Sequence, residues 1–363
     1  MGASEPEATA SWQHRFAEVD GVRVHWAELG ESTEKPPLVL LHGLSDCHRS
    51  WMRLAPRLAR DRRVLVPDLP GHGLSGRPDA SYELGWYARV LGRWLDTAGV
   101  DRADVVGHSF GGGVAQMMLL ECPGRIRRLV LVSSGGLGRE IAALLRVAGS
   151  IPLFVERLGQ PFMGLFTRLA RSATGSLHSS EDAARLSAMN AQSGSARAFA
   201  RTVRDIIDWR GQRRSFFARA DELSALPPMA VFWGDRDAVI PFSHAEALAN
   251  AVDGVRLTRF AACGHYPHHE KPDDFVNGLR DFLDGPGVRA ARLRRGREGN
   301  PFAVCPCADT STPGGSIQAA RTGGMSDLGV TSMQAASSTT LLPLAGAGIE
   351  VVPRHVAWRE RLR

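Results

Sequence analysis

Lysine is nearly missing from this sequence: Lys35 and Lys271 are its only two, and arginine supplies the other 42 of the 44 basic residues. That bias reflects coding composition rather than chemistry. Tyrosine is also scarce, at Tyr82, Tyr87 and Tyr266 alone. No run reaches the roughly 18 apolar residues that a membrane span needs, so an integral membrane protein is not expected. The opening MGASEPEATASWQHRF holds Glu5 and Glu7 and no apolar segment, so a Sec signal is not expected either. The five cysteines are Cys47, Cys122, Cys263, Cys305 and Cys307, an odd number with no C-x-x-C pair. A disulfide framework is thereby disfavoured, and a reducing cytoplasm is the expected compartment. Cys305-Pro-Cys307 is at most half a metal site, because no second pair accompanies it.

Charge of one sign is concentrated at one end. The net charge is +6, but residues 286–363 hold ten arginines against five acids, and the remainder is close to neutral at 34 basic against 33 acidic. The basic pI thus belongs to the tail, and no nucleic-acid partner is expected for the rest. Hydrophobic residues at 44% and charged residues at 23% are an ordinary globular balance, which excludes collagen, coiled coil and wholesale disorder. A chain of 363 residues can bury a large core without staples.

Residues 22–30 alternate apolar and polar, as a half-buried strand does. Short apolar runs at 37–41, 63–67, 104–106, 129–132 and 229–233 read as strands covered on both faces. Helical stretches lie between them, at 50–60, 82–98, 110–121, 243–251 and 271–284. This alternation predicts an α/β fold with a doubly wound, mostly parallel sheet. Residues 1–20 are set apart as an N-terminal extension, and 21–134 with 227–284 form the core. Residues 135–226 break the alternation and are expected to be an inserted helical cap. Its greasiest part is IPLFVERLGQPFMGLFTRLA at 151–170. Most of the Leu, Phe and Met there are expected to form the insertion's own core and the rest to line a pocket, with a membrane-surface helix as the weaker reading. Residues 285–363 lack apolar periodicity and are expected to be a disordered, low-complexity tail.

Gly107-His108-Ser109-Phe110-Gly111 follows one strand and opens the next helix. A G-x-S-x-G pentapeptide is weak alone; in this strand–turn–helix setting it marks an exposed nucleophile. Two glycines permit the tight turn, and Gly112 and Gly113 are expected to keep the helix close to the strand. A serine needs a base, and the base needs an orienting group. Gly264-His265-Tyr266 follows the strand-like 255–260, and Trp233-Gly234-Asp235-Arg236-Asp237 closes another strand. The chain order Ser, Asp, His suits this scaffold.

Five segments in order now carry a resemblance: LLHGL (40–44), PDLPGHGLS (67–75), GHSFGGG (107–113), WGDRDAVIP (233–241) and GHYPHHEKP (264–272). Over roughly residues 20–284 the chain resembles the α/β-hydrolase family. The resemblance implies Ser109 as nucleophile, His265 as base and Asp237 as acid, with Asp235 the alternative acid. It implies an oxyanion hole from the backbone N–H groups of Phe110 and Leu44. His42 and His72 are expected to organise loops, His268 and His269 to bond their own loop, and His108 to fill a free position. The family's epoxide hydrolases and haloalkane dehalogenases use Asp where Ser109 stands, and none of the three tyrosines lies in the cap to activate an epoxide. Carboxylesterases, thioesterases, acyltransferases, perhydrolases and C–C hydrolases of meta-cleavage products remain. The last usually carry Trp after the catalytic His, where this chain has Tyr266. Hydrolysis of a carboxylic ester or thioester is the expected reaction, with C–C hydrolysis, acyl or peracid transfer, and a ligand-binding module with a near-silent triad as the alternatives; a small-molecule acyl substrate is expected, with no metal or organic cofactor.

Overall fold

The structure, a computed structural model, describes residues 12–173, 180–223, 225–286, 289–294 and 350–352. Its main sheet contains β1 (Gln13–Val19), β2 (Val22–Leu29), β3 (Leu38–Leu41), β4 (Val64–Pro67), β5 (Ala103–His108), β6 (Ile126–Val132), β9 (Met229–Gly234), β11 (Arg256–Phe260) and β13 (Glu350–Val352). Two short pairs complete the strands: β7 (Ile207–Asp208) with β8 (Gly211–Gln212), and β10 (Val252–Asp253) with β12 (Arg292–Leu293). The order across the main sheet is β11-β9-β6-β5-β3-β4-β2-β1-β13. From β11 to β4 all pairings are parallel, and the β2, β1 and β13 end is antiparallel.

The central parallel strands are largely apolar because both faces are covered, whereas the edge strand β11 is mostly exposed. Successive side chains alternate between two separate cores. Val105, Leu129, Leu131, Val231 and Trp233 belong to one, and Val106, Val130, Val132, Ala230 and Phe232 to the other. Packed around the sheet are α1 (Ala55–Leu58), α2 (Leu84–Thr97), α3 (Phe110–Glu121), α9 (Ser243–Ala251), α10 (Pro267–Glu270) and α11 (Pro272–Asp284). Trp94 of α2 meets Trp26 of β2 edge-on at 5.9 Å, and Phe275 of α11 does the same with Phe232 at 5.4 Å. Such aromatic pairs are worth about 0.5–1.5 kcal/mol beyond their buried area.

Among the described residues, five α-helices run between β6 and β9: α4 (Ala143–Ser150), α5 (Pro152–Leu158), α6 (Met163–Ala173), α7 (Ser180–Asn190) and α8 (Ser195–Ile206). They share a small core of Ala148, Met163, Ala196, Phe199, Val203 and Ile207. Residues 207–222, read from sequence as part of the helical insertion, instead form the β7–β8 hairpin and two 3-10 turns. The expectation for 151–170 also needs correction. Met163 is buried there, whereas Leu153, Phe154, Leu158, Phe162 and Leu165 are exposed. A single helical layer has only one inner face, and these residues stand on the other.

Residues 13–19, set apart from sequence as an extension, form a strand that pairs along its length with β2. Of residues 285–363, Arg292–Leu293 and Glu350–Val352 add short strands, and most of the expected tail lies outside the described residues. No helix among the described residues is long and apolar enough to cross a membrane.

Candidate active site

The loops leaving β3, β5, β9 and β11 converge at the carboxyl ends of the parallel strands, where such sheets bind ligands. Ser109 follows β5 directly, with φ 52° and ψ −114°. A residue with a Cβ is strained there. Surrounding hydrogen bonds hold it: Ser109 N–H donates to Val132 O at 2.9 Å, and Ser109 O accepts from the N–H groups of Gly112 and Gly135, both at 3.0 Å.

The neighbouring glycines have distinct reasons. A Cβ on Gly107 would stand 2.5 Å from Gly111 O, one on Gly111 2.5 Å from His42 O, and one on Gly112 2.2 Å from Ser134 Oγ. These three let helix α3 sit against the strand ends. Gly113 differs from expectation: a Cβ there would meet only Leu84 Cδ2, at an ordinary 3.8 Å.

His265 Nδ1 lies 2.8 Å from Asp237 Oδ2, and the two side chains are 5% and 0% exposed. The other oxygen, Asp237 Oδ1, accepts from Val239 N–H at 2.8 Å and Ile240 N–H at 2.9 Å. The carboxylate is therefore fixed on both sides. Asp235, the alternative acid, turns elsewhere. It accepts from Arg259 at 3.1 Å and from Cys263 N–H at 3.4 Å, and makes no bond to His265.

Ser109 and His265 share a cavity of about 340 Å³. Its apolar walls include Leu44, Leu144, Leu145, Phe166, Phe199 and Val239, and among the described residues Arg236 is the one Arg, Lys, Asp or Glu that lines it. Among the described residues the Ser109 hydroxyl and His265 Nε2 make no hydrogen bond. Phe110 N–H is the first of helix α3, one of the four that a helix leaves without an internal partner. Leu44 lines the cavity beside Ser45, whose φ of 55° turns that loop.

Two residues with supporting roles were not identified from sequence. His108 is completely buried, and its Nε2 donates to His265 O at 2.9 Å. Burial and the neighbouring His265 hold its pKa well below the usual value, so the ring is neutral. Glu270 accepts from Gly264 N–H at 2.8 Å and Tyr266 N–H at 3.2 Å, bracing the loop on both sides of His265. His42 organises its loop as expected: it donates to Gly43 O at 2.8 Å and accepts from Leu69 N–H at 2.9 Å. His72 bonds Pro70 O at 3.0 Å. His269 Nε2 donates to Ser50 O at 2.7 Å, and the buried His268 stacks on Trp51 at 4.3 Å, tying α10 to the loop after β3 rather than only to itself. Cys263 is buried, and burial pushes its thiol up to about 12, away from reactivity.

One cluster has the composition of a cation site. Donor atoms of His25, His48 and Asp68 all lie within 4.8 Å of one another. Their spacings are those of hydrogen bonds, with His25 Nδ1 at 2.7 Å and His48 Nδ1 at 3.0 Å from the carboxylate. Asp68 also accepts from the N–H groups of His48 at 2.6 Å and Leu74 at 2.8 Å. Burial alone would raise this carboxyl; the two rings outweigh it and hold the group well below the carboxylate range. The cluster ties β2, β4 and the loop after β3 together.

Comparison with known proteins agrees with this fold. Residues 36–272 match the family model of the alpha/beta hydrolase fold. An uncharacterized protein of Mycobacterium tuberculosis is 31% identical over 313 residues, 82% of this chain and 90% of that protein. A 2-hydroxymuconate semialdehyde hydrolase of Pseudomonas sp. strain CF600 is 31% identical over 256 residues, 68% of this chain and 86% of the relative. The crystal structure of an alpha/beta hydrolase fold protein from Burkholderia ambifaria aligns with a TM-score of 0.64 at 26% identity, covering 73% of this chain and 96% of that one. The chain belongs to the alpha/beta hydrolase fold family and is a hydrolase.

Proposed function

We propose that this hydrolase cleaves a carboxylic ester or thioester through an acyl-enzyme on Ser109. The observation that carries the reading is the buried Asp237–His265 pair at 2.8 Å, facing the same apolar cavity as the strained Ser109. Ser109 Oγ attacks the carbonyl carbon while His265 Nε2 takes its proton. Asp237 keeps the Nδ1–H tautomer and stabilises the imidazolium. The N–H groups of Phe110 and Leu44 receive the developing oxyanion; one such donor is worth about 10²–10³ in turnover. The imidazolium returns its proton to the departing alcohol or thiol, and water, deprotonated by His265, releases the acid and restores Ser109. Helices α4–α8 act as a cap that excludes water, and the cavity suits a small acyl molecule. Cys47, Cys122 and Cys263 are free thiols, which supports a cytoplasmic setting.

A second reading has its own support. Arg236 lines the cavity, and the substrate named for the Pseudomonas relative, 2-hydroxymuconate semialdehyde, carries a carboxylate. An acid held by Arg236 fits hydrolysis of a C–C bond beside a carbonyl. The test is turnover of a chain-length series of p-nitrophenyl esters and of a vinylogous diketone acid, by wild type and Ser109→Ala. The ester reading expects ester turnover that falls by at least about 10³-fold in the variant. Turnover of the diketone acid alone moves the assignment to C–C cleavage. Ester turnover that survives Ser109→Ala contradicts both.

A further inference from the structure

Ten large apolar side chains are exposed among the described residues, and eight of them fall within residues 144–165. Their spacing is regular. Leu144, Val147, Ile151, Phe154, Leu158, Phe162 and Leu165 recur every three or four positions through α4, α5, the turn before α6 and the start of α6, and are 46–63% exposed. The opposite face, with Ala148 and Met163, packs into the core shared with Phe199, Val203 and Ile207. The stripe is therefore an outward face of several helices rather than scattered surface leucines, and patches of this kind mark interaction sites.

Charge selects the partner. Between residues 143 and 168 the charged groups are Arg146, Glu156, Arg157 and Arg168. The three arginines are exposed, while Glu156 is half-buried and paired with Arg201 at 2.8 Å. An apolar face flanked by guanidiniums fits the headgroup and upper acyl region of an anionic bilayer. A second copy of the chain fits less well, since an isologous contact would set like charges against each other. Trp209, 66% exposed at the tip of the β7–β8 hairpin, adds an amphipathic ring of the type found at membrane interfaces. The hairpin abuts α4, because a Cβ on Gly149 would stand 2.9 Å from Ile207 Cγ2. Leu144 belongs to both surfaces: half exposed in the stripe, it also lines the Ser109 cavity.

We propose that the outer face of residues 144–165 docks onto an anionic lipid surface, setting the Leu144 edge of the Ser109 cavity against the bilayer. The test is flotation of the full chain with vesicles of phosphatidylcholine alone or with phosphatidylglycerol added. Docking involves no bond cleavage, so Ser109→Ala is run beside wild type; its flotation stands or falls independently of the esterase reading. Both proteins are expected to float with the phosphatidylglycerol vesicles at least tenfold better than with phosphatidylcholine alone. A Phe154→Ser/Phe162→Ser double variant is expected to stay in the soluble fraction with an unchanged urea-unfolding midpoint. Each of Arg146→Gln, Arg157→Gln and Arg168→Gln is expected to weaken binding roughly fivefold, an effect that added salt reproduces. Equal flotation with both vesicles, or none, overturns the proposal. So does a wild-type dimer that the Phe154→Ser/Phe162→Ser variant converts to monomer, which assigns the face to a second copy.

Discussion

Asp237 and Asp235 stand two residues apart on one loop, and their hydrogen bonds separate their roles. In Asp237→Asn the amide oxygen must face the N–H groups of Val239 and Ile240, which occupy Asp237 Oδ1. The NH₂ then points at His265 Nδ1 and forces the proton onto Nε2, where the ring can no longer accept one from Ser109. Turnover should fall by about 10⁴-fold with the fold intact, as in a serine triad whose carboxylate is neutralised. Asp235→Asn removes only a partly exposed pair with Arg259 and should cost less than about fivefold. Steady-state kinetics of the two variants side by side checks this, and the reverse ranking contradicts the assignment. The convergence of Ser109, His265 and the Asp237 loop at one end of the sheet was legible because each sits inside a local motif that follows a strand. His108 and Glu270 were not. His108 acts on a carbonyl 157 positions away, and no local pattern announces such a contact. Glu270 lies within the matched segment GHYPHHEKP, but its backbone acceptors become visible only once the chain turns back at Pro267.

The elbow helix gives a prediction at the level of an element. Gly111→Ala puts a methyl 2.5 Å from His42 O and 2.8 Å from Leu41 O, backbone atoms that no rotamer change can move. It should lower stability by about 1–3 kcal/mol. Gly113→Ala meets nothing closer than 3.8 Å and lies inside a helix, where alanine is favoured by about 0.5–1 kcal/mol. Urea midpoints should therefore move in opposite directions, and equal shifts would contradict the close-approach account. The central parallel strands were readable from their apolar runs, since two-sided burial leaves no polar alternation to misread. Strand β1 was missed although Phe16, Ala17 and Val19 are buried. Its remaining residues are polar, as befits a strand near the sheet's margin, and the polar stretch before it hid the start. The outward stripe of α4–α6 shows the converse: periodicity identified apolar residues but not which side of a helical layer they occupy.

Across the whole molecule, buried histidines set the response to acid. Burial lowers the pKa of His42 and, with the neighbouring His42 adding to it, takes His72 to about 3. His14 is held near 4 by burial and by the His25 and His48 rings. The unfolded chain binds these protons near pH 6.5, whereas the folded chain resists them until well below. The unfolded state thus carries more protons over that interval, and stability falls as pH drops from about 6.5 toward 4. The depressed Asp68 carboxyl adds a loss of the same sign below its ordinary value of 3.8. Urea midpoints measured from pH 8 to pH 4.5 should be level above 7 and decline below 6.5; a midpoint that holds or rises there would contradict the buried, neutral state of these rings. The fold class was legible at this scale because alternation of apolar runs and helices is a global pattern. The nine-strand order was not, since pairing β13 with β1 joins segments more than 300 positions apart.

The central claim is that Ser109 forms a covalent bond with substrate, and the most direct measurement is intact-mass and peptide mapping after reaction with a fluorophosphonate. The serine oxygen displaces fluoride and leaves a stable phosphonyl ester. The account predicts one adduct per chain, located on Ser109, absent from Ser109→Ala and formed far more slowly in Asp237→Asn than in Asp235→Asn. An adduct on another residue, or none on a folded chain that turns over esters, would contradict it.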